Sequence, residues 1–373
     1  MERDICLARA VKRMLELKDR EWGEFLLSSV FSIQSTSSSI DKIKLVSGGG
    51  NYPYITRTDR NNGVDSFICE QPSYKTDVGN CITIGLDTQT AFYQPVEFYT
   101  GQNIQILRND KLNKTNAKFV LPLLKNLLTI FNWGSSGATL TRLRRSKILL
   151  PIRDVNTPDW EFMSDYAHER EQLQLDEYFA HANKILDDIG DINDILPLKE
   201  KEWKPFMMSS IFTLETGKGK GLNHLTQTPD GVSYLGATNR NNGVLCYVKP
   251  VEKLIQQGNG IAFIRNGEGS IGYSIYKSEP FIASSDLTIG YSNKLNRYSG
   301  AFITSIADTV RGKYNFNYKR SEKRLAKELL NLPINDLGEP DWLYMEQYAK
   351  MLTQQQLIAY LRYKGAFAAQ SKA

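Results

Sequence analysis

Glu21-Trp22-Gly23-Glu24-Phe25-Leu26-Leu27-Ser28-Ser29-Val30-Phe31 returns later in the chain as Glu202-Trp203-Lys204-Pro205-Phe206-Met207-Met208-Ser209-Ser210-Ile211-Phe212. The shared skeleton is Glu-Trp-x-x-Phe-x-x-Ser-Ser-x-Phe. Two further blocks repeat in the same order. Arg60-Asn61-Asn62-Gly63-Val64 returns as Arg240-Asn241-Asn242-Gly243-Val244. Leu150-Pro151-Ile152 with Pro158-Asp159-Trp160 returns as Leu332-Pro333-Ile334 with Pro340-Asp341-Trp342. All three recur about 180 residues on, which marks a duplication in which each half has the same parts.

Each half opens with short β-like runs. Tyr54-Ile55-Thr56 and Tyr234-Leu235-Gly236 lead into the Arg-Asn-Asn-Gly segments, whose Asn and Gly suit the positive φ of a tight turn. Cys81–Ile84 and Ala91–Tyr93 in the first half match Ile261–Ile264 and Ile271–Tyr273 in the second as strands. Shorter helical stretches are expected near 117–131 and 321–331. Each half then closes on a long polar helix. The first begins at Pro158, a residue suited to the first helical turn, and runs to Ile189 before Gly190. The second begins at Pro340 and runs toward Tyr363.

In the second helix Trp342, Met345, Ala349, Leu352, Gln356 and Ala359 fall at alternating three- and four-residue steps, the spacing of a coiled-coil seam. The first is less regular, with Phe162, Tyr166, Leu173, Ile185 and Ile189 as its apolar stripe. Helices of 25–30 residues span about 40–45 Å. Each helix could pack on its own domain, or the two could pair as a spacer. Their matched lengths favour pairing. Trp160, Tyr166, Trp342, Met345, Ala349 and Leu352 are the expected spacer and partner-contact residues.

The chain has 373 residues, of which 41% are hydrophobic and 23% charged, a globular composition able to build two cores. No membrane span or signal peptide is expected, and four cysteines (Cys6, Cys69, Cys81, Cys246) without a Cys-x-x-Cys pair argue against a zinc site or disulfide framework. A reducing cytoplasm fits best. A net charge of +5 permits a polyanionic partner without requiring one. Catalytic motifs are missing from the sequence. There is no Asn/Asp-Pro-Pro-Tyr tetrapeptide to hold a flipped base, Pro158-Asp159 is followed by Trp160 instead of a nuclease motif, and Gly217–Gly221 lacks the Gly-Lys-Ser/Thr of a phosphate loop.

This order of parts, repeated twice, resembles the specificity subunits of Type I restriction-modification systems. It is especially similar to the related subunits of Type IIB restriction enzymes, with Tyr54-Ile55-Thr56-Arg57-Thr58 and Gly101-Gln102-Asn103. The stretch from Gly258 to Gly272 is similar to the Gly-rich hairpin of those domains, whereas the first half has Gly85-Leu86-Asp87-Thr88-Gln89-Thr90 in place of Gly-Ser-Ile-Gly. The resemblance implies an α+β fold: two tandem β-rich target recognition domains, each followed by a long helix, the two helices pairing as an antiparallel coiled-coil spacer. The domains are expected over 1–156 and 201–338, with the helices over 157–200 and 339–373.

It further implies a non-catalytic subunit that reads a bipartite site in double-stranded DNA and docks methyltransferase or endonuclease subunits. S-adenosylmethionine and Mg2+ are expected in those partners, with no cofactor or metal in this chain. From another class, a duplicated β-rich module binding protein or another polyanion, with an oligomerising coil, remains the alternative. The candidate DNA-binding residues are Arg57, Arg60, Asn61, Arg142, Arg144, Arg145, Lys218, Lys220, Arg240, Asn241, Arg265 and Asn266. The turns occur identically in both halves, so they suit phosphate positioning better than reading two different half-sites. Gly217–Gly221 is expected to be a flexible basic loop on phosphate. Arg142, Arg144 and Arg145 are expected to match Lys319, Arg320, Lys323 and Arg324 as a basic cluster. Base-specific residues should lie where the halves differ: Gly48–Asn51, Leu86–Thr90, Lys218–His224 and Arg265–Ser270.

Overall fold

The computed structural model describes residues 13–131, 137–192, 194–219, 221–267, 269–315 and 317–370. Two of the positions singled out above, Cys6 and Lys220, lie outside the described residues. The chain divides into two compact units, Met1–Tyr178 and Phe179–Ala373.

In unit 1 the opening motif forms strand β1 (Trp22–Leu26) and a single helical turn, α1 (Leu27–Val30). Then come β2 (Ser32–Ser35), β3 (Gly49–Ile55), β4 (Val64–Ile68), β5 (Cys81–Gly85), β6 (Thr90–Gln94), β7 (Tyr99–Thr100) and β8 (Ile104–Arg108). Helix α2 (Lys114–Leu128), helix α3 (Leu140–Arg145), β9 (Lys147–Asp154) and β10 (Thr157–Pro158) follow, then helix α4 (Trp160–Ile189), whose residues after Tyr178 belong to unit 2. The sheets run β2-β8-β5-β6, β4-β3-β7 and β1-β9-β10.

Unit 2 repeats the plan with β11 (Trp203–Met207), α5 (Met208–Ile211), β12 (Thr213–Thr216), β13 (Gln227–Leu235), β14 (Val244–Val248), β15 (Ile255–Gln256), β16 (Gly260–Ile264), β17 (Ser274–Lys277), β18 (Phe281–Ala283) and β19 (Leu287–Tyr291). It closes with α6 (Arg297–Ala307), α7 (Glu322–Lys327), β20 (Leu329–Pro333) and α8 (Trp342–Gln370). Its sheets run β12-β19-β16-β17, β14-β13-β18-β15 and β11-β20.

The repeated residues are the ones that build the cores. Trp22 stacks on Phe119 at 6.1 Å and donates its indole N–H to Leu17 O; Trp203 stacks on Phe302 at 6.1 Å and donates to Leu198 O. Phe31 meets Trp160 edge-on at 5.9 Å, as Phe212 meets Trp342 at 6.3 Å. Such aromatic pairs add about 0.5–1.5 kcal/mol to the burial of their area. Each long helix is thereby rooted in its own unit, with Met163 and Met345 wholly buried.

Several expectations are corrected. The long helices start two residues later than the prolines: Pro158 is in β10, while Asp159 and Asp341 cap the helices, accepting from Phe162 N at 3.0 Å and Tyr344 N at 3.0 Å. α8 extends past Tyr363 to Gln370. Ile271–Tyr273 is a turn, with Gly272 at φ +92°, and β17 begins at Ser274. The region 321–331 divides into α7 and then β20, because Leu329–Pro333 pairs with β11. The partner of α2 is α6, which holds itself by a capping box of Asn296 with Ser299 and by burying Phe302, Ile303 and Ala307.

The spacer residues also divide differently. Trp160, Tyr166, Trp342, Met345 and Ala349 pack on the cores of their own units, and Leu352 is 40% exposed. Gln356 and Ala359 are exposed too, off the half-buried stripe of this helix. The first turns of each helix are used by its own core, and the half-buried stripe beyond them is rotated. On α4 it runs Leu175, Tyr178, Ala182, Ile185, Ile189; on α8 it runs Lys350, Gln354, Leu357, Leu361, Lys364. Among the described residues no helix is long and apolar enough to cross a membrane.

Candidate nucleic-acid interface

The two Arg-Asn-Asn-Gly turns are superposable in chemistry. Asn61, Asn62 and Gly63 take φ of 48°, 56° and 80°; Asn241, Asn242 and Gly243 take 48°, 49° and 75°. Asn and Gly are the residues that tolerate this left-handed region. The Gly63 and Gly243 amides donate to Arg60 O and Arg240 O at 2.9 Å, and Thr58 and Thr238 hydroxyls accept from the Arg amides at 3.2 Å. The asparagines serve the turn as well: Asn62 Nδ2 donates to Tyr93 O at 2.9 Å and Asn241 Nδ2 to Val244 O at 3.1 Å. Arg60 and Arg240 are exposed, and among the described residues no side-chain partner holds either guanidinium. Each unit therefore carries one free cation on an identical pedestal. Asn61 shares that pedestal, exposed beside Arg60.

Other candidates are engaged inside the fold. Arg57 is ion-paired with Asp87, whose carboxyl that bond holds below its usual range. Arg142 donates to Gly137 O at 2.9 Å and Arg144 to Ile33 O at 2.9 Å, tying α3 to its surroundings, while Arg145 is exposed without a side-chain partner among the described residues. Arg324, at the place of Arg142, likewise donates to Lys319 O at 2.7 Å. Arg320 does not belong to a basic surface cluster. It is fully buried on Glu328, because that carboxylate and the faces of Phe263 and Tyr314 enclose its guanidinium.

Arg265 is only 16% exposed at its side chain; it donates to Ser285 O at 2.5 Å and lies 3.5 Å from Glu322. Asn266 donates to Asp286 at 2.9 Å. Lys218 is exposed, 4.0 Å from Glu215. The segment around it is no flexible loop. Gly217 N and Gly219 N bond Leu287 O and Ala283 O at 2.9 and 2.7 Å, and a Cβ on Gly217 would come within 2.0 Å of Ser284 O. The glycines are there because the backbone lies directly against its neighbour.

Sequence reasoning missed one site. In unit 2 a cleft of about 730 Å3 lies between described residues of the β16–β17 connection and residues 311–315 and 319, lined by Asn266, Tyr273, Arg311, Tyr314, Asn315 and Lys319. The connection in unit 1, residues 86–89, is shorter. The Gly258–Gly272 stretch pointed to one wall with Asn266; of the other, some forty residues on, only Lys319 was singled out, as part of a basic cluster. Among the described residues no group of three or more His, Cys, Asp or Glu is placed to hold a metal ion.

Two copies of one β-rich unit, each rooted to a long helix and each presenting a free arginine on the same turn, define a tandem recognition protein. The chain belongs to the family of Type I restriction modification DNA specificity domains, whose model matches residues 19–177 and again 200–361. It is thus a restriction-modification specificity subunit with two target recognition domains. It is 27% identical over 335 residues to the specificity subunit S.BcgI of a type II restriction enzyme from Heyndrickxia coagulans, covering 88% of this chain and 93% of that one. The fold is similar to that of a Type-I restriction-modification system S subunit from M. genitalium, with a TM-score of 0.54, 14% identity and 95% of each chain covered.

Proposed function

We propose that this chain is the non-catalytic subunit that reads a bipartite duplex target, one half-site per unit, for a restriction-modification complex. The observation that carries it is the duplicated turn: Arg60 and Arg240, exposed and without a side-chain partner among the described residues, on the same backbone conformation in two units that each match a DNA specificity domain. A free cation at the same place in each unit suits phosphate contact, which sets register, and leaves sequence to the loops that differ. Methyltransferase and endonuclease subunits supply S-adenosylmethionine and Mg2+ chemistry in this reading, and the relative S.BcgI is itself named as part of a type II restriction enzyme.

The helices α4 and α8, of 30 and 29 residues, pair antiparallel as the spacer and docking platform. Two things support this. Their half-buried stripes both step alternately by three and four residues, the spacing of a coiled-coil seam. Within unit 2, Gln354 Nε2 donates to Gly190 O at 3.3 Å, and Ala182 is wholly buried. At 1.5 Å per residue each helix is about 45 Å long.

The test is binding of the full-length chain to a randomised duplex pool across a salt series. A bipartite consensus, with affinity falling as salt rises, supports the reading. Binding without sequence preference, or methyl transfer by the isolated chain, refutes it.

A further inference from the structure

Arg311 and Arg324 are both exposed and each lies over a tyrosine ring, but Arg324 spends a terminal nitrogen on Lys319 O at 2.7 Å and Arg311 does not. The Arg311 guanidinium lies 4.3 Å from the ring centroid of Tyr273. Its Nε donates to Asp308 O at 3.1 Å, and Asp308 in turn accepts from Ser274 N at 2.7 Å. These contacts hold the guanidinium in place and leave its two terminal nitrogens without a hydrogen-bond partner among the described residues, with the Asp308 carboxyl close enough to feel its charge. The contrast with its neighbours is sharp. Arg240 is free but held by nothing beyond its backbone, Arg265 is engaged by Ser285 O and Glu322, and Arg320 is buried on Glu328.

The cleft around Arg311 is rigidly made. Gly272, at φ +92°, allows the two walls to meet: a Cβ there would stand 2.9 Å from Arg311 Cα. Beneath it Arg320 donates to Gly272 O at 3.3 Å, and Tyr314 OH donates to Glu328 Oε2 at 2.5 Å. Burial and that carboxylate push the Tyr314 hydroxyl strongly up, so it stays a donor. Asn315 and Asn266 edge the same opening.

We infer that Arg311, held over the Tyr273 ring in this cleft, reads a guanine in the half-site bound by unit 2. A guanidinium presenting two parallel N–H donors matches the O6 and N7 acceptors that guanine shows in the major groove. Being held over a ring prepays the ordering that a free arginine would lose on binding. A phosphate contact needs no such fixed placement, and Arg240 already suits that role. The assignment rests on the proposed DNA-reading function.

The full-length chain, Arg311→Ala and Arg311→Lys are compared on the consensus duplex, on its single-base variants, and on duplexes with 7-deazaguanine at each guanine. In the wild type, replacing one particular guanine costs about 10- to 100-fold in affinity, and the deaza base, lacking N7, costs part of that. In Arg311→Ala both penalties vanish at that guanine while the other half-site keeps its own. Arg311→Lys retains overall affinity but not the discrimination. If Arg311→Ala disturbs the other half-site as well, the Lys variant decides by the same criterion. Uniform weakening on every duplex, with the salt slope reduced by about one, makes Arg311 a phosphate contact and overturns the assignment; so does unchanged discrimination. A pool that yields no consensus for the wild type overturns the proposed function itself.

Discussion

Asp159→Ala tests whether the spacer helix is clamped to its recognition unit by one buried carboxylate. Asp159 is 4% exposed at its side chain, caps α4 by accepting from Phe162 N at 3.0 Å, and accepts from Arg20 Nε at 2.9 Å. Arg20 also covers the Phe162 ring at 4.9 Å. Unit 2 repeats the device with Lys201 on Asp341 at 2.7 Å and over Tyr344 at 4.9 Å. Losing a cap costs about 1 kcal/mol. A charge-assisted hydrogen bond contributes about 1.5–3 kcal/mol, but Arg20 is 41% exposed, so solvent screening brings its share to about 1 kcal/mol. Asp159→Ala should therefore cost about 2 kcal/mol, and Asp159→Asn, which keeps an acceptor for the cap, about 1 kcal/mol.

Burial raises the Asp159 pKa, but the Phe162 amide and Arg20 outweigh it and leave the carboxyl below its usual value. A carboxylate whose folded pKa is depressed stabilises the fold above its unfolded pKa, about 4, and loses that contribution as pH falls through the folded value. The gap between wild type and Asp159→Asn should thus be constant from neutral pH down to about 5 and close below about 4. A urea series with pulse-labelling hydrogen exchange, followed on peptides from 160–175, reads unit 1 apart from unit 2. A cost under about 0.5 kcal/mol, or strict additivity of Asp159→Asn with Arg20→Met, refutes the clamp.

Arg60→Ala and Arg240→Ala should each lower the salt dependence of binding by about one charge while leaving the preferred sequence unchanged, read from anisotropy titrations on target and scrambled duplexes. Leu357→Asp, on the half-buried stripe of α8, should lose partner-subunit assembly at a cost of about 1–3 kcal/mol, whereas Leu352→Asp, 40% exposed, should assemble normally in size-exclusion chromatography. Gly243→Ala should cost about 1–3 kcal/mol in thermal unfolding of unit 2, since Gly243 sits at φ +75° with the new Cβ 2.5 Å from Ile275 Cδ1.

Most of the fold was legible because its signals are local or repeated. Trp22, Phe31 and Trp160 are large apolar residues whose burial hardly depends on context, and their recurrence as Trp203, Phe212 and Trp342 fixed two matching cores. The Asn-Asn-Gly turns could be read because positive φ is a property of those residues themselves. Helix α6 could not. Arg297–Ala307 contains Gly300, Thr304 and two isoleucines, poor helix formers that are held by burial and by the Asn296 cap. Likewise the phase of the α8 stripe was set by how deeply unit 2 takes up Met345, which spacing along the helix does not encode.

The interface was the least legible part, and arginine shows why. In sequence Arg57, Arg60, Arg265, Arg311 and Arg320 are equivalent basic residues near turns. What separates them is the carboxylate each one is ion-paired with: Asp87 for Arg57, Glu322 for Arg265, Glu328 for Arg320, and none among the described residues for Arg60 or for Arg311, whose charge the Asp308 carboxyl feels without forming an ion pair. Those acids come from other elements, so whether a guanidinium is consumed or left for a ligand is decided by tertiary packing. Arg311 adds a second requirement, a ring beneath it, supplied by Tyr273 across a contact that only a glycine at 272 permits. On the proposed assignment, what suits Arg311 to reading sequence is that it is both unpaired and held in place, and neither property belongs to the residue alone.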